Sequence, residues 1–461
     1  MTRASPPGPT GLPGIGNTLQ FLRDPITFYE TCAEYGDVVH ARVARDDVYV
    51  VSHPELVERV LVTDEAAYRT PDGFDDRIDG VLASGLLLAE DDRWGGLRTA
   101  TSALSFDPVE WYADVTVRHA ETMAALWDDG ETVAVDEAMR ELALDVFIDA
   151  LFGADADHQQ RRSELGVDCG GRGEGDSERI REAVHAFEGK FETPARAAFV
   201  PDWVPTRTNR RYRRALSEFD AVIGDLIDRR RAAGFENCHD VLSLLLQADD
   251  ADGDLTESTI RDQLVTFLVA GYETTAAALT FTAYALATHP GVADRLQAEV
   301  DAVLGTASAT AADLSNLGYT ERVVKESLRR YPPLFATFRQ PIRETELAGY
   351  DLPVQSTVVM PQYVVHNDPR WFTAPETFRP ERWATWDGPE FAYFPFGGGS
   401  ANCIERRFAM QELQLVVATM AQQVSFERAN DAPLDLSFGT TLQPAGGLDL
   451  VVTERVATPR R

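Results

Sequence analysis

Apolar residues along the 461-residue chain recur mostly at every third or fourth position, the spacing of helices that bury one face. The pattern predicts helices over Pro25–Tyr35, Pro54–Leu61, Asp92–Ser105, Pro108–Asp128, Val135–Leu151, Ser177–Phe187, Arg210–Arg231 and His239–Gln247. It continues over Leu255–Thr288, Gly291–Leu304 and Tyr319–Tyr331, with a last helix from near Cys403 to about Val424. Alternation replaces this spacing over Val38–Val51, which reads as a hairpin turning at Arg45-Asp46-Asp47. RETELAGYDLP, VVMPQYVV and the tail LDLVVTERV read as short strands. A proline-rich arm at about residues 6–16 (PPGPTGLPGIG) precedes the first helix, and the polar, glycine-rich run Asp155–Asp176 reads as a loop. No linker or repeat divides the chain, and the acidic run Gln247–Ser258 serves as a loop before the longest helix. The expectation is one mainly α domain with small β-sheets over residues 1–461.

Leu264–Leu286 is long enough to span a bilayer, but Glu273 stands in its middle. A carboxylate at mid-bilayer costs about 2.5 to 3.5 kcal/mol on insertion scales, so the segment reads as a helix crossing a protein core. The N-terminus has no apolar run that could serve as a signal or anchor. A cytoplasmic protein without a membrane anchor is expected.

Charge narrows the partners. Asp and Glu number 74 against 43 Lys and Arg, a net charge of −31, and the only lysines are Lys190 and Lys325. Such a surface repels nucleic acid and anionic lipid. The carboxylates are spread along the chain, a halophilic pattern that resembles haloarchaeal proteins, in which salt screens self-repulsion. The four cysteines, Cys32, Cys169, Cys238 and Cys403, share no zinc-ligand spacing.

Four local patterns carry candidate chemistry. In FPFGGGSANC, the glycines at 397–399 permit a tight turn and close approach to a flat ligand. Cys403 follows near a helix start, where unpaired amides favour a thiolate; a buried structural thiol is the alternative. In AGYETT, Ala270 and Gly271 leave a smooth helix face, and Thr274 can bond back to the preceding turn or hold a water. Glu273 beside it can relay protons, or serve a kink with a buried ion pair. In ESLR, Glu326 and Arg329 share a helix face at i and i+3 and can recruit Arg382 of PERW into a structural network. In WGGLR, Trp94 and Arg98 stand at i and i+4, suited to clamping a carboxylate-bearing ligand.

Taken in this order along the chain, the patterns resemble the cytochrome P-450 superfamily of haem-thiolate monooxygenases. The resemblance covers nearly the whole chain and implies a mainly helical triangular prism with small sheets at one edge. It implies haem b (iron protoporphyrin IX) as cofactor and Cys403 as the ligand of its iron, with Phe396 packed near the sulfur. Thr274 matches the threonine that stabilises bound dioxygen, and Glu273 its acidic neighbour in proton delivery. Ala270 and Gly271 match positions against the haem, while Trp94, Arg98 and Arg339 match positions that bind its propionates. Glu326, Arg329 and Arg382 match the structural triad.

The implied reaction inserts one atom of O2 into a C–H bond of an apolar small molecule. With no fused redox domain, the electrons would come from a separate protein such as a ferredoxin, received near Arg406 and Arg407. Retention of the acid–threonine pair favours monooxygenation over isomerase- or dehydratase-type chemistry; haem binding without turnover is a second alternative. Segments after Thr70, over Val184–Thr206 and over Leu334–Phe338 would line the substrate pocket, with Phe187, Phe191, Phe199, Leu334, Phe335 and Phe338 as apolar candidates.

Two positions depart from the family loop. Ala401 stands where an arginine is usual, and Glu405 where a glycine is usual. The lost arginine removes a charge-assisted hydrogen bond worth about 1.5 to 3 kcal/mol. Glu405 is expected to crowd the porphyrin and to bring a negative charge that disfavours the thiolate.

Overall fold

A computed structural model describes residues 5–71, 109–153, 172–173, 175–191, 204, 206–235, 238–252, 255–400 and 402–455. Helices α1 (Thr18–Arg23) and α2 (Pro25–Ala33) follow the arm. The Asp24 side chain caps α2 by accepting the Thr27 N–H at 3.1 Å. Strands β1 (Val38–Val43) and β2 (Asp46–Val51) pair antiparallel with Val38 opposite Val51. The turn therefore falls at Ala44-Arg45, one residue earlier than the sequence suggested, with Ala44 in the left-handed region at φ 56°.

Next come α3 (Pro54–Glu58), continued by a π turn over Arg59–Thr63, then β3 (Tyr68–Arg69), α4 (Val109–Ala124), β4 (Thr132–Ala134) and α5 (Val135–Phe152). The helical layer continues with α6 (Asp176–Phe191), α7 (Arg207–Ala233), α8 (Val241–Asp252), α9 (Glu257–Thr288), α10 (Pro290–Val303) and α11 (Gly318–Arg330). Strands β5 (Thr337–Pro341), β6 (Thr345–Leu347), β7 (Tyr350–Leu352) and β8 (Thr357–Met360) follow. VVMPQYVV is only half strand: after Pro361 the chain turns into the short helix α12 (Gln362–His366). The C-terminal part comprises α13 (Arg406–Gln423), β9 (Val424–Arg428), β10 (Leu436–Phe438), β11 (Leu442–Pro444) and β12 (Asp449–Glu454).

The largest sheet has the order β1-β2-β8-β5-β3, with β2 and β8 parallel and the other pairs antiparallel. A second, antiparallel sheet runs β4-β12-β9, and β6–β7 and β10–β11 are separate hairpins.

Helix α9 is the spine. Leu264, Val265, Leu268, Tyr272 and Ala276 pack with residues of α5, α6, α7 and α8 in one cluster. Ala278, Leu279, Ala283 and Leu286 pack with α4, α10, α11 and α13 in another. Burial on nearly all sides accounts for its apolar composition. It is the one described helix long and apolar enough to cross a membrane, and 78% of its most apolar window is buried inside the protein. Thr256 caps its start by accepting the Thr259 N–H at 3.1 Å. Trp94 and Arg98 with the helix expected over Asp92–Ser105, most of the Asp155–Asp176 run, and Ala401 lie outside the described residues.

Candidate active site

The loop before α13 is fastened at both ends. Phe394 donates its backbone N–H to His366 Nε2 at 2.9 Å, and its carbonyl accepts from Gln362 Nε2 at 2.7 Å. Gly397 and Gly399 then adopt φ 70° and 71°, a region that favours glycine. A Cβ on Gly399 would lie 1.9 Å from the Leu61 carbonyl oxygen, so only glycine lets the loop pass so close to that backbone. The Ser400 N–H donates to Glu65 at 3.0 Å, and the Cys403 N–H closes the loop on Phe396 O at 2.9 Å. The Phe396 ring lies under the Arg406 guanidinium at 5.7 Å. Helix α13 begins at Arg406, three residues later than the sequence suggested, which leaves Cys403 in the loop.

Three cysteines are described. Cys32 is fully buried and burial pushes its thiol up to about 12. Cys238 is disulfide-bonded, a cross-link absent from the sequence reading. Cys403 is exposed and not disulfide-bonded, the chemically accessible one of the three.

On α9, consecutive residues divide their tasks because each step turns the helix by about 100°. Ala270 is exposed. The Thr274 hydroxyl bonds back to Ala270 O at 3.0 Å and Gly271 O at 3.1 Å, which places it on the Ala270 side of the helix. Gly271 differs from expectation. It is buried, and a Cβ there would lie 2.1 Å from Phe147 Cε1 of α5 and 3.1 Å from Glu405 Oε2. Its missing side chain admits a ring and a carboxyl from neighbouring elements; the smooth exposed face belongs to Ala270. Glu273 turns elsewhere and accepts from Thr441 Oγ1 at 2.9 Å.

The network around Glu326 is fully assembled. Its Oε1 accepts from Arg329 Nη2 at 2.9 Å, Arg382 Nε at 3.0 Å and the Arg379 N–H at 2.9 Å. Its Oε2 accepts from Arg329 Nε at 3.1 Å and Trp383 Nε1 at 3.0 Å. Two guanidinium charges face one carboxylate, and the surplus is met by carbonyls. Arg329 donates to those of His366 and Pro375, and Arg382 to those of Thr373 and Thr377. Because Arg329 binds the His366 carbonyl while His366 Nε2 binds Phe394, the network reaches the cysteine loop through one residue.

Arg339 on β5 is half-buried, and burial lowers its pKa. Its guanidinium donates to Phe338 O at 2.9 Å and makes no ion pair within 4.0 Å among the described residues. The Glu65 carboxylate offsets this lowering in part, and a desolvated cation without a direct ion pair can take a further anion.

Glu405 departs from expectation in charge. It retains some accessible surface yet lies deep in the fold, where burial pushes its carboxyl up to about 8. At neutral pH it is mostly protonated, so the repulsion of the thiolate expected from the sequence is largely removed. Two turns along α13, Glu412 is fully buried, both its oxygens lack hydrogen-bond partners among the described residues, and burial raises its pKa with Glu405 adding to the effect. Like Thr441, Gln362 and His366, Glu412 escaped the sequence reading, since it belongs to no spaced pattern.

The apolar candidates divide. Phe335 packs on Phe438 at 5.6 Å and Phe338 against the β1–β2–β8 core, so both have structural partners, while Leu334 is exposed. Val184 is core. The side chains of Phe187, Phe191 and Phe199 lie outside the described residues.

A flat, iron-bearing dianionic group fits this arrangement: an exposed thiol on a loop of glycines, an uncovered alanine with a hydroxyl on the same side of the central helix, and a half-buried arginine with no direct ion pair among the described residues. The comparisons agree. The family model for cytochrome P-450 matches residues 6–450. Cyclooctatin synthase and cyclooctat-9-en-7-ol 5-monooxygenase of Streptomyces melanosporofaciens are 34% and 32% identical, each over 90% of this chain and 88% of its own length. Pentalenene oxygenase of Streptomyces avermitilis is 30% identical over 90% of both. The fold matches a retinoic acid-bound cyanobacterial structure with a TM-score of 0.81, at 22% identity over 98% of this chain and 100% of that one. The chain therefore belongs to the cytochrome P-450 family and is a haem-thiolate monooxygenase with haem b as its cofactor.

Proposed function

We propose that Cys403 supplies the thiolate that holds the haem iron and that Arg339, with Trp94 and Arg98, receives the propionates. The supporting observation is the exposed Cys403 thiol on a loop fastened to the buried Glu326 network through His366. When bound, the haem supplies oxygen activation and insertion of one oxygen atom into a C–H bond, driven by electrons from a separate redox protein. The chain's residues do the rest. Ala270 leaves room beside the central helix. The Thr274 hydroxyl, donating to the Ala270 and Gly271 carbonyls, leaves its oxygen able to accept a hydrogen bond where protons are consumed. The Glu273 carboxyl takes up a proton from solvent and passes it on. Phe396 shields the sulfur, with Arg406 above its ring.

The substrate class is supported by the relatives named above, two of which are named as oxygenases of cyclooctat-9-en-7-ol and of pentalenene. An apolar, terpenoid-like carbocycle is the proposed guest. A ferredoxin is the proposed electron donor, docking near the exposed Arg406 and Arg407. Cytoplasmic residence in a high-salt interior is the proposed setting for a net charge of −31.

The test is turnover of a terpenoid panel with a ferredoxin and its reductase under isotopically labelled O2. Incorporation of one labelled oxygen into product supports the proposal. Reductant consumption without oxygenated product across the panel overturns the substrate class.

A further inference from the structure

Glu273 is held from a distant part of the chain. Thr441, in the turn joining β10 to β11, is 2% exposed and donates its hydroxyl to Glu273 Oε1 at 2.9 Å. Gln443, on β11, donates Nε2 to the same hydroxyl at 2.9 Å. The hairpin is itself fixed: the Leu442 N–H donates to Pro333 O at 2.8 Å, the Leu442 side chain is fully buried, and Phe438 packs on Phe335.

The direction of this chain follows from donor counting. An amide nitrogen only donates, so with Gln443 Nε2 facing it the hydroxyl must spend its single proton on Glu273. That order suits the carboxylate. When Glu273 carries a proton the order can invert: the carboxyl donates to Thr441, the hydroxyl rotates, and the flipped Gln443 amide accepts with its oxygen. Both protonation states are then satisfied without displacement of the carboxyl. An acid that gains and loses a proton in each cycle needs that property, because an unsatisfied state in a largely buried place would be costly.

We propose that Thr441 and Gln443 are positioning residues for proton delivery, holding the Glu273 carboxyl in one place through both of its protonation states. The inference rests on the reading of Glu273 as a proton carrier.

The experiment uses the full-length holoenzyme and four variants: Thr441→Val, Thr441→Ser, Gln443→Leu and Glu273→Gln. One readout is the infrared carboxyl band of Glu273, identified by its loss in Glu273→Gln. The other is product formed per reductant consumed. The band should shift in Thr441→Val, shift less in Gln443→Leu and return to its original place in Thr441→Ser. The coupling ratio should fall several-fold in Thr441→Val and recover in Thr441→Ser. An unshifted band in Thr441→Val overturns the positioning role. A shifted band with unchanged coupling overturns its functional importance. Full coupling in Glu273→Gln, with the band still shifting in Thr441→Val, leaves the positioning contact standing and removes the reading of Glu273 as a proton carrier.

Discussion

His366 Nε2 accepts the backbone N–H of Phe394 at 2.9 Å, and the carbonyl of the same histidine accepts from Arg329 at 2.9 Å. One residue thus joins the buried ion network to the start of the cysteine loop. The ring is fully buried, and burial, together with the nearby Arg329 charge, holds its pKa down to about 3 from 6.5. The unfolded chain takes up a proton as pH falls below about 6.5, whereas the folded chain does not until about 3. Stability from this group is therefore complete above that window and is lost through it, by up to about 1.4 kcal/mol per pH unit. His366→Asn should flatten the acid limb of a denaturant-stability profile measured across the window. His366→Leu should lose about 1 to 3 kcal/mol at neutral pH by leaving the Phe394 N–H unpaired.

Glu326 is the keystone of that network because five donors converge on its two oxygens. Glu326→Gln leaves two buried guanidinium groups facing each other without a counter-charge. Breaking such a buried pair costs about 3 to 5 kcal/mol. Unfolding by denaturant should show a loss of that size, together with faster transfer of haem to a competing apoprotein.

Much of this was legible because local spacing carries it. Glu326 and Arg329 are one helix turn apart, and the glycines at 397–399 announce a tight turn; the close approach at Gly399 is to the Leu61 backbone, whereas the sequence suggested a flat ligand. Long helices were found to within a few residues because their apolar periodicity is sustained: Leu255–Thr288 became Glu257–Thr288. Failures came where tertiary contacts decide. VVMPQYVV has strand composition throughout, yet Pro361 ends the strand and Gln362 and His366 are used to grip Phe394. Gly271 looked like a smooth face, but no local pattern signals that Phe147, 124 positions away, fills it. Thr441 could not be foreseen beside Glu273, since 168 residues separate them.

Phe147 against Gly271 makes a sharp steric test. Gly271→Ala places a methyl 2.1 Å from Phe147 Cε1, and the ring is itself wedged edge-on to Phe408 at 5.3 Å. Overpacking of this kind costs about 1 to 3 kcal/mol. Phe147→Leu in the same chain should recover most of the loss, so a double-mutant cycle by thermal or denaturant unfolding should show strong coupling between the two sites.

Glu405 carries a pH signature opposite to that of His366. Its folded pKa of about 8 lies above the ordinary 4.5, so it weakens the fold progressively as pH rises between those values. Glu405→Gly should gain stability over the same window, by up to about 1.4 kcal/mol per pH unit, less about 0.5 to 1 kcal/mol for the added backbone freedom. Combined with Ala401→Arg, it should also slow haem loss. A stability difference independent of pH would contradict the account of Glu405.

Ligation by the Cys403 sulfur is the claim on which the rest depends. The most direct measurement is the carbon-monoxide difference spectrum of the reduced protein, recorded for the unaltered chain and for Cys403→Ser. The account predicts the long-wavelength Soret band of a thiolate-ligated haem in the first and its loss in the second. The same spectrum from both proteins, or no haem bound by the unaltered chain, would contradict it.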